Sequence, residues 1–252
     1  MKVALLGDVH ANLPALEAVL VHARQNNIDV IWNLGDFVGY GAFPEEVIQV
    51  LRTHQALSIL GNYDRKVLKV KKKAAEWQAR KLPEKWLAFQ WSYDHLSQAR
   101  REYLGSLPEQ IRLTMDGRRV LLVHGSPSSR EEHLTPATPE QRMEELAEGA
   151  GVDMILCAHS HIPFARQAKG TWFVNPGSVG RPDDGDARAS YAILDFSAGE
   201  FQIEFCRIAY DTARAVAAIH QAHLPESFAR MVLLGRNLDW INTNPAPTDS
   251  PI

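Results

Sequence analysis

Seven side chains that could hold a metal ion recur at one kind of place in this chain, just after short apolar runs. Asp8 and His10 follow residues 3–6, Asp36 follows 28–34, Asn62 follows 57–60, His124 follows 119–123, and His159 and His161 follow 154–157. A single Asp or Asn after a strand is ordinary turn and capping chemistry. Five such places in order, four imidazoles among them, call for another explanation. His159 and His161 stand two apart after four apolar residues, and no turn requires two imidazoles there. The donors are two carboxylates, one amide oxygen and four imidazoles, with no thiolate. That mixture suits Mn, Fe, Zn, Co or Ni better than Ca or Mg. One ion takes about four to six ligands, so seven fit two ions that share a carboxylate. Ions about 3.5–4 Å apart clamp the attacking and leaving oxygens of a phosphoryl displacement and acidify a bound water. The expected cofactor is therefore two divalent transition-metal ions, with manganese favoured.

The elements that must position these residues alternate between strand and helix, the pattern of an α/β layer. After Asp8 and His10, Asn12 is placed to cap a helix over 13–25, with Leu16, Val19, Leu20 and Ala23 on its inner face. A strand over 28–34 ends in Gly35-Asp36, and a helix with Val47, Val50 and Leu51 inward leads to a third strand, 57–60. Residues 65–108 carry little strand pattern. They are read as two or three helices inserted beside the mouth of the site, since the segment starts directly after Asn62. Within it Lys66, Lys69, Lys71, Lys72 and Lys73 are read as a solvated helix face in preference to a phosphate-attracting rim. Trp77, Trp86, Phe89 and Trp91 are read as packing rather than a base-stacking platform. Strands resume at 119–123, 154–157 and 171–174, with a helix over 140–147 between the first two. A hairpin pairs 190–196 with 201–208 around Ala198-Gly199, and Asp211 caps a helix through Ile219. The expectation is one domain over residues 1–241 and a loose tail over 242–252.

Composition narrows the partners. The chain has 252 residues, 45% of them hydrophobic, and a formal net charge of −3. No basic run marks a dedicated nucleic-acid surface, and no apolar stretch is long enough to span a membrane. Cys157 and Cys206 lie far apart in apolar stretches and are expected as buried thiols. The chain opens directly in its first strand, so the expectation is a cytoplasmic protein without a leader, homo-oligomerisation left open. His22, His54, His95, His133, His220 and His223 are read as surface or turn residues and left out of the site.

Gly7-Asp8-Val9-His10, Gly35-Asp36, Gly61-Asn62, His124-Gly125 and Ala158-His159-Ser160-His161 resemble, in order, the motifs of the calcineurin-like metallophosphoesterases. The likeness runs from residue 3 to about 180. It includes Asn175-Pro176-Gly177-Ser178, which is similar to the small bacterial and archaeal phosphodiesterase branch. The resemblance implies an α/β fold: a four-layer α/β/β/α sandwich of two mixed sheets, with the helical insertion after the third strand. It also implies that Asp8, His10, Asp36 and His161 hold one ion while Asp36, Asn62, His124 and His159 hold the other, Asp36 bridging. Two departures matter. The histidine pair opens with Ala158 where the family has Gly, a change of small cost if φ there is negative. Tyr63 stands where many members carry a His thought to protonate the leaving group, so Tyr63 is an uncertain catalytic residue beside Asn62 and His124. Asp64 is assigned a role in orienting a neighbour.

The resulting expectation is a binuclear metal-dependent phosphoesterase that uses a metal-bound hydroxide on a small phosphorylated substrate, diesters before monoesters. A hydrolase of dinucleoside polyphosphates or related nucleotides is the second reading. The third, from another class, is a metal-binding protein-interaction scaffold with little activity, and the complete ligand set argues against it. A Rossmann dehydrogenase lacks its glycine fingerprint here, and a serine hydrolase lacks its G-x-S-x-G elbow.

Overall fold

The first strand, β1 (Lys2–Leu6), is buried on both faces, and its alternation sets up the layers. Val3 and Leu5 point one way and Ala4 and Leu6 the other, all of them fully buried. A computed structural model describes residues 1–196 and 201–245. Within it β1 lies at the middle of a five-stranded sheet. Its neighbours are parallel β2 (Val30–Asn33), with β3 (Leu57–Ser58) beyond, and antiparallel β9 (Ala189–Asp195), with β10 (Gln202–Ile208) beyond. A second five-stranded sheet runs in the order β4 (Gln110–Met115), β5 (Arg118–Val123), β6 (Met154–Leu156), β8 (Thr171–Asn175) and β7 (Phe164–Ala168). Each sheet mixes parallel and antiparallel pairs.

Val3, Leu5, Trp32 and Leu34 of the first sheet meet Val120, Leu122, Met154, Leu156 and Val174 of the second in an apolar layer between the sheets. On the outer face of the first sheet, Ala4 and Leu6 are covered by α1 (Leu13–Gln25), α2 (Pro44–Thr53), α3 (Asn62–Arg80) and α5 (Gln98–Ser106). On the outer face of the second, Leu121, Val123 and Ile155 pack under α6 (Glu140–Ala150). The stack is the expected α/β/β/α sandwich. Truncating a residue such as Leu5 to Ala would cost about 2–5 kcal/mol, because neither sheet can collapse into the gap.

Local chemistry explains the site-bearing turns. The Asn12 side chain caps α1 by accepting from the Ala15 N–H at 3.2 Å, with Pro14 in the first turn. Parallel pairing of β1 with β2 puts Asp8 and Asp36 side by side past the carboxyl ends of their strands. Parallel pairing of β5 with β6 does the same for His124 and the histidine pair. The Asn175-Pro176-Gly177-Ser178 turn stitches the two sheets together: Asn175 Nδ2 donates to the Ala158 carbonyl (2.8 Å) and Ser178 Oγ to the Asp8 carbonyl (2.7 Å).

Several boundaries differ from expectation. The insertion is three helices, α3, α4 (Pro83–Asp94) and α5, and it begins at Asn62 itself, so the proposed ligand is the first residue of a helix. Strands β4 and β7 were not foreseen. Both are edge strands with polar residues on one face, which dilutes their apolar signal. After α7 (Thr212–Gln221), whose Asp211 cap is as expected, two further helices follow, α8 (Glu226–Leu234) and α9 (Leu238–Thr243). Asn242 and Thr243, assigned to a loose tail, complete α9. Residues 246–252 of that expected tail and the Ala198-Gly199 turn lie outside the described residues. The Trp77, Trp86 and Trp91 rings are partly buried packing residues, as read.

Candidate metal centre

Asp8, His10, Asp36, Asn62, His124 and His161 converge at the shared sheet edge, each between 0% and 2% exposed. Ligand atoms of Asp8, His10 and His161 lie within 4.8 Å of one another, and so do those of Asp8, Asp36 and His124. The two groups share Asp8, and Asp36 Oδ2 of the second lies 3.7 Å from His10 Nε2 of the first and 3.5 Å from His124 Nε2. Asn62 Oδ1 is 3.2 Å from His124 Nε2. His159 stands at the rim: it is part-exposed, with its ring centroid 5.1 Å from that of His124.

The two carboxylates share one design. Asp8 Oδ2 accepts the His159 backbone N–H at 3.0 Å, and Asp36 Oδ1 accepts the Tyr63 backbone N–H at 2.7 Å. Their other oxygens, Asp8 Oδ1 and Asp36 Oδ2, are buried and make no hydrogen bond; the facing nitrogens, His161 Nε2 and His124 Nε2, stand 3.4 and 3.5 Å away. A buried carboxylate oxygen left so is costly unless a cation meets it. The imidazoles are held in matching fashion. Nδ1 of His10, His124 and His161 lies 3.1, 2.8 and 2.6 Å from the carbonyls of Val38, Leu34 and Arg181. A carbonyl can only accept, so each Nδ1 carries the proton and each Nε2 faces the centre as a potential ligand. These residues fit divalent metal ions.

Strain marks the same residues. Asp8, His10, Asp36, His159 and His161 all adopt left-handed backbone, with φ of 55°, 48°, 56°, 67° and 60°. Each costs on the order of 1–2 kcal/mol for a residue with a Cβ, and such strain concentrates at functional sites. Ala158 is not among the positive-φ residues, so it stands in the glycine position without strain. Its Cβ fills the space beside Gly7, where a second Cβ would come within 2.9 Å of it. Gly61 is required by close approach: a Cβ there would lie 2.1 Å from Asp36 Oδ1.

Asp64 is bonded to the turn that carries Asp36. Its carboxylate accepts the N–H groups of Asp36 (2.9 Å), Phe37 (2.9 Å), Val38 (3.3 Å) and Gly61 (3.0 Å), tying the Asp36 turn to the start of α3. Burial and the Asp36 charge push its pKa up to about 7, against the pull of those N–H groups. Asp8 and Asp36 go the other way. Burial raises each, but the facing histidines outweigh it and hold both at about 2. For His124, burial favours the neutral ring, yet Asp36 outweighs it and lifts the pKa to about 9. Tyr63 is a poor acid. Its hydroxyl is 2.6 Å from that of Tyr40, and burial, then Tyr40, drive its pKa well above the usual phenol value.

Sequence reasoning missed three neighbours. Glu131 accepts from Asn62 Nδ2 at 2.9 Å, which turns Oδ1 of that amide toward the centre. His133, set aside as a surface histidine, packs its ring 4.1 Å from that of His159. Arg181 lies over the Tyr40 ring at 4.8 Å and beside His161. Residues flanking an apolar run carried the signal used; these three sit in loops with no such pattern. All three line a cleft of about 300 Å³ at the centre, with Asp36, Asn62, Tyr63, His159 and His161 on its floor and Lys66, Lys81, Lys85 and Phe89 of the insertion on one wall.

Comparison with known proteins shows the family and the fold. The model of the calcineurin-like phosphoesterase superfamily domain matches residues 1–199. An uncharacterized protein of Methanocaldococcus jannaschii, MJ0912, is 33% identical over 251 residues, covering 93% of this chain and 98% of that one. The crystal structure of a metallophosphoesterase from Sphaerobacter thermophilus superposes with a TM-score of 0.78 at 30% identity, over 93% of this chain and 99% of that one. The phosphodiesterase YfcE of Escherichia coli K12 is 26% identical over 205 residues, 77% of this chain and 88% of its own length. No helix among the described residues is long and apolar enough to cross a membrane. With five motifs, the sandwich and the match over most of its length, the chain belongs to the calcineurin-like phosphoesterase superfamily.

Proposed function

We propose that this protein is a binuclear metal-dependent phosphodiesterase. Asp8, His10, Asp36 and His161 hold one ion, and Asp36, Asn62, His124 and His159 hold the other. The observation that carries this reading is the pair of buried carboxylate oxygens that no hydrogen bond satisfies, Asp8 Oδ1 and Asp36 Oδ2, with Asp36 Oδ2 between histidines of the two sets. Manganese suits the mixed oxygen and nitrogen donors. When bound, such ions place positive charge against the phosphoryl oxygens and lower the pKa of a coordinated water.

The chain's own residues set the remaining terms. Asp64 holds the Asp36 turn, and Glu131 holds the Asn62 amide. Arg181, beside His161 in the cleft, adds a fixed cation where phosphoryl charge grows. Tyr63, bonded to Tyr40 and with its pKa raised, is a far weaker proton donor to a departing alkoxide near neutral pH than an imidazolium would be. Esters with good leaving groups are therefore the better substrates. Bis(p-nitrophenyl) phosphate should turn over faster than alkyl phosphomonoesters in the presence of Mn²⁺. Faster alkyl monoester hydrolysis under the same conditions would contradict this assignment.

A further inference from the structure

The wall of the cleft built by the insertion carries more positive charge than it neutralises. Lys66 Nζ pairs with Glu131 at 2.9 Å and Lys85 Nζ with Asp239 at 2.8 Å. Between them Lys81, the C-cap residue just after α3, lines the same cleft with no carboxylate partner among the described residues. It is held in place without one: its Nζ stands 5.1 Å from the Trp77 ring centroid and 5.7 Å from that of Phe89. Burial and the ammonium groups of Lys66 and Lys85 hold Lys81 below the ordinary lysine range, while Glu131 opposes them. Three cations thus meet two carboxylates on one wall, in a cleft whose floor is the metal centre. Of the lysines in the sequence cluster only Lys66 faces this cleft; Lys71 and Lys73 are tied to Asp94 and Glu76 on the surface.

We propose that Lys81, flanked by Lys66 and Lys85, is a subsite for a second, non-scissile phosphate, and that the preferred substrate is a small molecule bearing two phosphoryl groups. The proposal rests on the phosphodiesterase reading for the scissile group, and two experiments separate them. The first compares kcat/KM for thymidine 5′-(p-nitrophenyl phosphate) with that for the same ester carrying a 3′-phosphate, in Mn²⁺. Through one charge-assisted contact the wild type should favour the doubly phosphorylated ester roughly 10–100-fold. Lys81→Ala should abolish that preference and leave the singly phosphorylated ester within about twofold. Lys69→Ala, an exposed change on the same helix outside the cleft, should alter neither. The second is calorimetric binding of inorganic pyrophosphate to the metal-free chain, which should weaken roughly tenfold or more in Lys81→Ala and not in Lys69→Ala. Turnover of both esters without preference overturns the subsite and leaves the phosphodiesterase intact. Pyrophosphate binding that depends on Lys81, without turnover of either ester, upholds the subsite and sinks the phosphodiesterase. Pyrophosphate binding that is absent, or equal in the two variants, overturns the subsite.

Discussion

The two halves of the proposed metal centre are built to different tolerances. His10 and His161 are fully buried, and each ring is locked by a backbone carbonyl that belongs to the sandwich edge. In the other half only His124 is locked that way. Asn62 is oriented by the side chain of Glu131, itself 57% exposed, and His159 is part-exposed against His133. Rigid ligands lose little freedom on binding an ion, whereas ligands set by mobile side chains lose more. The first half is thus a preformed site, and the second, through Asn62 and part-exposed His159, is the softer one at the cleft.

The most severe way to test this contrast is to remove what joins the halves. Asp36→Asn should release both ions and lower turnover by a factor on the order of 10³ or more, since a metal ion supplies several kcal/mol of transition-state stabilisation. Metal analysis showing full occupancy in that variant would refute the bridge. A narrower cut falls on the soft half. Glu131→Ala frees the Asn62 amide and should weaken the second ion about 10–100-fold while sparing the first. Equal weakening of both ions in a chelator competition would erase the distinction.

Protons sharpen it further. Without metal, His124 keeps its imidazolium proton up to about pH 9, whereas Asp8 and Asp36 are ionised above about 2. An ion must displace that proton from Nε2, so apparent affinity in the His124 half should rise about tenfold per pH unit as pH climbs toward 9. The carboxylates contribute no such slope there. Calorimetry in buffers of different ionisation enthalpy measures the released proton directly; release of none at pH 7 would contradict the assignment. The last effect falls outside the metal ligands, at Tyr63. Tyr63→His should raise turnover of alkyl phosphomonoesters by up to about 10²-fold, with little change for aryl diesters. Equal dependence on leaving-group pKa in both proteins would show that this position does not control the reaction.

The legibility of the molecule follows the same division. Strands β1, β2, β5 and β6 are short, apolar and buried on both faces, so their ends, and the ligands after them, stand out in the sequence. Residues whose role depends on a loop reaching back across the fold leave no local trace. Glu131, His133 and Arg181 each lie far along the chain from the residues they touch. Edge strands β4 and β7 were hidden by their polar faces. In the sequence Asn62 stands at the end of a strand pattern, because the two-residue β3 is followed within a few residues by α3, whose lysine-rich surface masks its inward Val67 and Val70.

The central claim is a pair of ions acting as one centre. Titrating the metal-free protein with Mn²⁺, while counting bound ions and following bis(p-nitrophenyl) phosphate hydrolysis, tests it directly. The account predicts two ions per chain, bound in sequence, with turnover appearing as the second site fills. Full activity at one bound ion per chain would contradict it.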